Sequence, residues 1–270
     1  MKKYMFFAGL PRSGSTLIQS ILNQNPNMYV STDSPVCETM FNLDYLLSSS
    51  QGFLANRNEI GRYNVVSSII KEYYKDIDRE YIIDKFFGWG TPANLELIKK
   101  YITNDIKIIV TVRDIPEILA SFTKILNNTQ FGESFLDKQI QNSNMFSYRT
   151  IQEIRCDFLM SPGGEIDRAL YSIHNLLLNN YNICLIDYND FVNNPKSNIE
   201  KIYNYLDIQY YDHDFKDIKN TNTIDDSIYG IPNMHKVKES IEKDNYKIED
   251  YLSDYTINRY KNLEIWKNDR

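Results

Sequence analysis

A Gly-rich loop near the N-terminus places two hydroxyls and an arginine directly after an apolar run. Residues 9–16 read GLPRSGST, and residues 4–8 before them are apolar. Aligned backbone N–H groups in such a turn, together with the positive end of the helix dipole that follows, bind phosphate. The arginine adds a cation from inside the loop. We therefore predict a phosphate-binding loop that consists of Arg12, Ser13, Gly14, Ser15 and Thr16.

This loop differs at one position from the nucleotidase pattern G-x-x-x-x-G-K-[ST]. Ser15 stands where that pattern has a lysine, which reaches the β- and γ-phosphates of a nucleoside triphosphate. The loop therefore suits a nucleotide with one 5′-phosphate group better than a triphosphate. Two alternatives stay open: a P-loop kinase or nucleotidase, and a nucleotide-binding protein without catalysis.

A second anion site is predicted at the end of the apolar run IVTV. Arg113 follows this run directly, and Ser121 lies eight positions later, about two turns along a helix. An arginine at a strand end and a serine on the next helix can both donate to one phosphate. The alternative is a plain surface ion pair between Arg113 and Asp114.

Apolar runs alternate with amphipathic stretches along the chain. The runs are typical of strands buried on both faces, and they cover residues 4–9, 81–84, 106–112 and 182–188. The amphipathic stretches predict helices, which begin at residue 15 and cover residues 91–102, 114–126, 165–180 and 194–208. This alternation indicates an α/β three-layer sandwich with a mainly parallel central sheet, similar to P-loop NTPases, with a helical lid or insertions. Ligands of such sheets bind at the carboxyl ends of the strands, where both predicted anion sites fall.

Three regions do not follow this alternation within the single domain expected over residues 1–270, and one of them, residues 211–238, is irregular. Residues 127–150 are polar and weakly patterned, which favours a loop that covers the substrate over a disordered insertion. Residues 241–266 are charged, aromatic and helix-like, and we expect them to pack on the outside of the molecule.

The two anion motifs together resemble those of the sulfotransferases. PRSGST is similar to that family's 5′-phosphosulfate loop, P-[KR]-[SA]-G-[ST]-[ST], and VRDIPEILAS is similar to its 3′-phosphate element, although Ile115 here separates the Asp from the Pro. The resemblance implies transfer of a sulfuryl group from 3′-phosphoadenosine 5′-phosphosulfate (PAPS) to a hydroxyl. It also implies that the loop holds the 5′-phosphosulfate, and that Arg113 and Ser121 hold the 3′-phosphate.

Two further segments resemble the family, and particularly its bacterial and tyrosylprotein branches. Tyr188, in LIDYNDF, takes the position of a tyrosine that lies near the adenine, with Asn189 in place of the usual Glu. Lys85, in IIDKFF, matches a lysine that contacts the transferred sulfate, although the proline that normally follows closely is absent. The resemblance thus assigns a catalytic role to Lys85 together with Arg12.

The acceptor hydroxyl needs a general base within hydrogen-bonding reach, and the sequence leaves three candidates. Asp33 takes the position, counted from Arg12, of a catalytic glutamate in the tyrosylprotein branch, and Glu38 lies about one turn further along. His235, in MHKVK, resembles a His-x-Val-[RK] element of some bacterial members. In the same segment, Lys238 or Lys236 is expected to reach the 3′-phosphate.

Composition excludes several other function classes. The formal net charge of −6 argues against a general nucleic-acid or anionic-membrane binder. The three cysteines are widely separated, so we expect neither disulfides nor a metal site. A turn interrupts the short N-terminal apolar run, which leads us to expect a cytoplasmic protein. The acceptor (peptide, sugar, lipid or small alcohol) and the oligomeric state stay open.

Overall fold

A parallel β-sheet forms the centre of the protein. We describe a computed structural model over residues 2–143, 149–221, 224–243 and 245–267. In these ranges five strands form one sheet in the order β2-β3-β1-β4-β5, with every neighbouring pair parallel. The strands are β1 (Lys3–Gly9), β2 (Met28–Asp33), β3 (Tyr81–Lys85), β4 (Ile108–Val112) and β5 (Ile183–Asp187).

The central strands are apolar along their length because helices cover both faces of the sheet. Phe6 and Phe7 of β1 are both completely buried and point to opposite faces. Phe6 packs in the larger core cluster, and Phe7 packs in the second cluster on the other face. Each predicted strand is present, and β2 is an additional strand at the sheet edge.

Helices flank the sheet on both faces and complete a three-layer α/β architecture. Helices α5, α6, α8 and α9 contribute to the larger cluster, and α1 and α11 contribute to the second. The helices are α1 (Ser15–Leu22), α2 (Val36–Ser49), α3 (Gln51–Ala55), α4 (Glu59–Tyr73), α5 (Pro92–Tyr101), α6 (Ile115–Leu126), α7 (Phe135–Asn142), α8 (Ile151–Met160), α9 (Glu165–Leu178), α10 (Tyr188–Asn193), α11 (Pro195–Leu206) and α12 (Asp254–Tyr260). The predicted fold class is confirmed.

Residues 127–150 and 241–266 break the alternation, and the structure shows what the described part of each forms. Residues 127–150 contain the ordered helix α7, and residues 144–148 of that segment lie outside the described residues. The prediction for residues 241–266 is wrong in part. Among the residues of this segment that the structure describes, only α12 is an α-helix, and Trp266 is 2% exposed within the larger core cluster. A mixed charged and aromatic segment can bury its aromatic rings without helical periodicity, and this one does so.

Among the described residues, every helix falls short of the length and apolarity that a bilayer crossing requires.

Candidate functional site

The loop after β1 is held tightly against β4. A Cβ on Gly9, whose φ is +151°, would lie 2.2 Å from Oγ1 of Thr111, so no side chain fits there. The Ser13 hydroxyl is buried and donates to the Leu10 carbonyl at 2.5 Å, and it also lies 2.7 Å from Thr111 Oγ1. The Ser13 side chain, predicted as a cofactor contact, therefore shapes the loop from inside.

Gly14 ends the loop and begins α1. Its φ of +82° lies in the left-handed region, and a Cβ there would lie 2.8 Å from Cδ2 of Tyr188. Gly14 has no side chain that could cap α1. The N–H groups of the first turn can therefore donate to a ligand at the positive end of the helix dipole. Ser15 and Thr16 line a cleft at this point. The loop therefore fits a phosphate dianion.

Arg12 connects the loop to the second predicted anion site. Its φ is +59°, a left-handed conformation unusual for a side-chain-bearing residue. Its Nε donates to Ser121 Oγ at 3.1 Å, and its Nη1 donates to the Met234 carbonyl at 2.5 Å. The guanidinium thus contacts the serine on α6 that is expected to bind the other phosphate, and the two predicted anion sites adjoin.

Arg113 leaves the end of β4 and is almost fully buried beside the loop. Its Nη1 donates to the Arg12 carbonyl at 3.2 Å, and its Nε donates to Glu117 at 2.9 Å. The guanidinium lies 4.1 Å from the centroid of the Tyr188 ring. Glu117 also accepts from the Asn189 amide at 3.2 Å, so α6 and α10 together orient this arginine.

Lys85 and Asp33 form an ion pair at the ends of β3 and β2. The Lys85 Nζ lies 3.4 Å from Asp33 Oδ1, and the lysine is 7% exposed. The Lys85 backbone N–H donates to Ser31 Oγ at 2.8 Å, which fixes the end of β3 beside β2. Lys85 is thus a mostly buried residue that lines the cleft beside Asp33.

The residue before Lys85 anchors this strand end from the other face. Asp84 is completely buried and accepts from Ser34, Tyr74 and Trp89 at 2.7, 2.5 and 2.8 Å. Burial raises the pKa of Asp84, and the three hydrogen bonds oppose that effect. Trp89 is therefore a core residue that supports the site from behind.

His235 lies in an irregular segment and is paired with a carboxylate that sequence reasoning missed. Its Nδ1 lies 2.6 Å from Asp226 Oδ1, and its backbone N–H donates to Asp226 Oδ2 at 3.0 Å. Lys236 and Lys238 follow on the same segment and also line the cleft. The Lys238 amine donates to Glu242 at 3.1 Å and is half-exposed.

These groups surround one cleft of about 700 Å³ at the carboxyl ends of the strands. Its polar part contains most of the predicted site residues, namely Arg12, Gly14, Ser15, Thr16, Asp33, Glu38, Lys85, Arg113, Tyr188, His235 and Lys238. Ser121 joins them through Arg12. The rest of the lining includes the polar residues Gln139, Glu165 and Arg168 and an apolar group formed by Phe86, Phe87, Phe135, Leu136, Leu159 and Tyr229.

Helix α7 forms one of these walls and is anchored by a buried ion pair. Arg155 of α8 donates to both oxygens of Asp137 at 2.8 and 2.7 Å, and both side chains are almost completely buried. The same guanidinium donates to the Leu126 carbonyl at the end of α6. The described part of residues 127–150 is thus a packed helix beside the cleft, and its role in covering the substrate stays a prediction.

A metal centre would need a cluster of acidic, His or Cys side chains. Within the described ranges, no group of three or more such residues is placed to hold a metal ion.

Comparisons with known proteins agree with this architecture. The family model described as "Sulfotransferase family" matches residues 5–212. The sulfotransferase domain from the curacin biosynthetic pathway has a TM-score of 0.56 at 13% identity and covers 90% of this chain and 88% of that domain. The sulfotransferase domain of the Synechococcus PCC 7002 olefin synthase has a TM-score of 0.51 at 18% identity, covering 89% and 85%. No curated protein matches the sequence.

The two structural likenesses show a shared fold. The family model spans most of the chain, including the loop, both anion motifs, Lys85 and Tyr188. On this basis the chain belongs to the sulfotransferase family.

Proposed function

We propose that this protein transfers a sulfuryl group from PAPS to the hydroxyl of an acceptor. The observation that carries the proposal is that the residues of the two predicted anion sites contact one another at one cleft. Arg113 donates to the backbone of the Gly-rich loop, and Arg12 in that loop donates to Ser121. A nucleotide with a phosphate at each side of its ribose matches two adjoining sites of this kind, whereas a single phosphate needs only one.

The loop and the strand ends would bind different parts of PAPS. The N–H groups at the start of α1, with Ser15 and Thr16, suit the 5′-phosphosulfate. Arg113 and Ser121 suit the 3′-phosphate, with Lys238 as a further cation at the exposed rim of the cleft. The Tyr188 ring would lie beside the adenine.

Sulfuryl transfer forms a bond from the acceptor oxygen to sulfur and breaks the bond from sulfur to the 5′-phosphate oxygen. Negative charge develops on that leaving oxygen, and 3′-phosphoadenosine 5′-phosphate (PAP) departs. Lys85 is a buried cation at the cleft wall, and Arg12 lies in the loop, so both suit stabilisation of this charge. The acceptor proton passes to a general base.

We assign the base to His235 and an orienting role to Asp33. The Asp33 carboxylate lies 3.4 Å from the Lys85 amine, and this ion pair suits a residue that orients the lysine. Glu38 lines the cleft from the first turn of α2, but it is exposed, and within the described residues no hydrogen bond or ion pair holds it. The His235 ring lines the cleft and is held by a carboxylate.

The acceptor side of the cleft favours an alcohol with an apolar body. Phe87 and Phe135 are among its walls, and the Arg168 guanidinium lies 5.0 Å from the Phe87 ring centroid. Arg168 is paired with Glu165 at 3.0 Å, so this end carries little net charge. Small alcohols and phenols fit such walls better than strongly acidic peptides do.

The test is a PAPS-dependent transfer assay with a panel of phenols and primary alcohols. Lys85→Met and Arg12→Ala should each abolish most turnover, and Lys99→Met, which removes a surface lysine on α5, should leave it unchanged. Binding of PAP and of ATP with magnesium should be measured in parallel. Tight ATP binding without PAP binding would favour the P-loop kinase alternative. PAP binding without turnover of any acceptor would favour a non-catalytic binding protein.

A further inference from the structure

We propose that Asp226 is a positioning residue that holds His235 in the tautomer needed for the general base. The inference rests on the proposed sulfuryl transfer. Asp226 lies nine positions before His235, in a short 3-10 turn, Asp226–Tyr229. Both of its carboxylate oxygens face the histidine, one at the ring and one at the backbone.

The two contacts determine which ring nitrogen carries the proton. A backbone N–H can only donate, so Oδ2 must accept from it, at 3.0 Å. An ionised carboxylate has no hydrogen to give, so Oδ1 must also accept, and Nδ1 is then the donor at 2.6 Å. The proton of the neutral ring therefore lies on Nδ1, and Nε2 carries the lone pair.

The surroundings keep this pair in place. The side chains of His235 and Asp226 are 13% and 15% exposed, so water competes weakly for their hydrogen bond. The residue before His235, Met234, accepts from Arg12 Nη1 through its carbonyl. The segment that carries the histidine is thus tied directly to the Gly-rich loop.

This arrangement suits the proton transfer of the proposed reaction. As the acceptor oxygen bonds to sulfur, its O–H bond breaks and the proton moves to Nε2 of His235. The imidazolium that forms carries a positive charge beside the Asp226 carboxylate, which stabilises it without itself taking the proton. No oxidant, reductant or metal enters the step.

Asp226→Asn is the sharpest perturbation because it keeps the shape and removes the charge. The His235 backbone N–H still requires an acceptor, so the amide oxygen must face it and the NH₂ group must face Nδ1. Nδ1 must then accept, and the ring proton moves to Nε2, where it blocks the base. We expect kcat to fall by about 10²–10³-fold, within the range for general-base catalysis. The affinity for PAP should stay within about twofold of the wild-type value, which is small beside the tenfold change that about 1.4 kcal/mol represents.

Two kinetic readouts separate positioning from a merely structural role. In a His235→Gln background, Asp226→Asn should add little further loss, because it acts through the imidazole. In a series of substituted phenols, the loss should shrink as the acceptor becomes more acidic and needs the base less. Asp225→Asn, at the neighbouring exposed carboxylate, is the matched control and should change kcat less than about twofold. An equal loss for all acceptors, or an unreduced loss in the His235→Gln background, would overturn the proposal.

A direct measurement on the unaltered protein does not depend on the folding of any variant. Nitrogen-15 NMR of the imidazole should show a protonated Nδ1 and an unprotonated Nε2 at pH values where the ring is neutral. The opposite tautomer would refute the inference. If the wild-type protein turns over no acceptor, the proposed function fails, and the tautomer measurement still decides the role of Asp226.

Discussion

Gly14→Ala tests the packing of the Gly-rich loop on Tyr188, and the chain supplies a matched control. Gly14 and Gly163 both have a φ of +82°. A Cβ on Gly14 would lie 2.8 and 3.2 Å from two carbons of the Tyr188 ring, whereas a Cβ on Gly163 would meet no atom within 4 Å. The two alanine variants therefore share the backbone penalty and differ in the contact.

The magnitudes follow from these two contributions. A left-handed conformation costs a residue with a Cβ about 1–2 kcal/mol in free energy of unfolding, and this applies to both variants. Forcing a methyl group into a filled space costs about 1–3 kcal/mol more, and this applies only to Gly14→Ala. For a chain of this size, each 1 kcal/mol lowers Tm by about 2–4 °C.

Ligand binding should separate the two variants further. The Tyr188 ring also lies against the Arg113 guanidinium, so its displacement disturbs both anion sites. We expect Gly14→Ala to weaken PAP binding at least tenfold, equivalent to about 1.4 kcal/mol, and Gly163→Ala to leave it unchanged. Calorimetric titration with PAP and thermal denaturation measure both effects. Equal losses of Tm with unchanged PAP affinity in both variants would refute the reasoning.

Three further predictions concern the cleft and its supports. Lys85→Met should lower kcat by about 10²-fold, because it removes a cation placed for the leaving oxygen. The affinity for PAP should change little. Stopped assays measure kcat, and titration with PAP measures the affinity. Asp137→Asn leaves Arg155 buried without its anion and should lower the free energy of unfolding by about 3–5 kcal/mol, measured by denaturant titration. Burial raises the pKa of Asp137, but Arg155 and Ser134 outweigh it and hold the pKa below its usual value. The difference in free energy of unfolding between the wild-type protein and Asp137→Asn should therefore be complete above about pH 4 and disappear as pH falls through the folded-state pKa of Asp137. A difference that persists at lower pH would contradict this. Phe87→Ala should raise KM for aryl alcohols several-fold, since it removes apolar contact area on the acceptor side only. An unaltered KM in steady-state kinetics would contradict a contact between Phe87 and the acceptor.

The sequence was most informative where chemistry is encoded by local spacing. The loop around Gly14 lies between a strand and a helix, and Arg113 and Ser121 lie on consecutive elements, so their relative positions follow from the βα unit itself. Parallel strands bring their carboxyl ends to one edge, and this explains why Lys85 joins them. Such positions need no knowledge of long-range packing.

The sequence was least informative where partners are set by tertiary structure. Asp226 and His235 lie in an irregular segment without periodicity, and only the fold shows that the carboxylate faces the ring. The wall formed by Phe135 depends on the buried ion pair of Asp137 with Arg155, which no local pattern reveals. Trp266 lies in a stretch rich in charge, yet it is buried, because core packing overrides local polarity.

The central claim is that the cleft binds two phosphates on one adenosine. The most direct measurement compares the affinity of the wild-type protein for PAP with that for adenosine 5′-phosphate, in the absence of magnesium, and repeats the comparison with Arg113→Gln. We predict that PAP binds at least tenfold more tightly, and that Arg113→Gln removes most of this difference while it retains affinity for adenosine 5′-phosphate. Equal affinity of the wild-type protein for the two nucleotides would contradict the account.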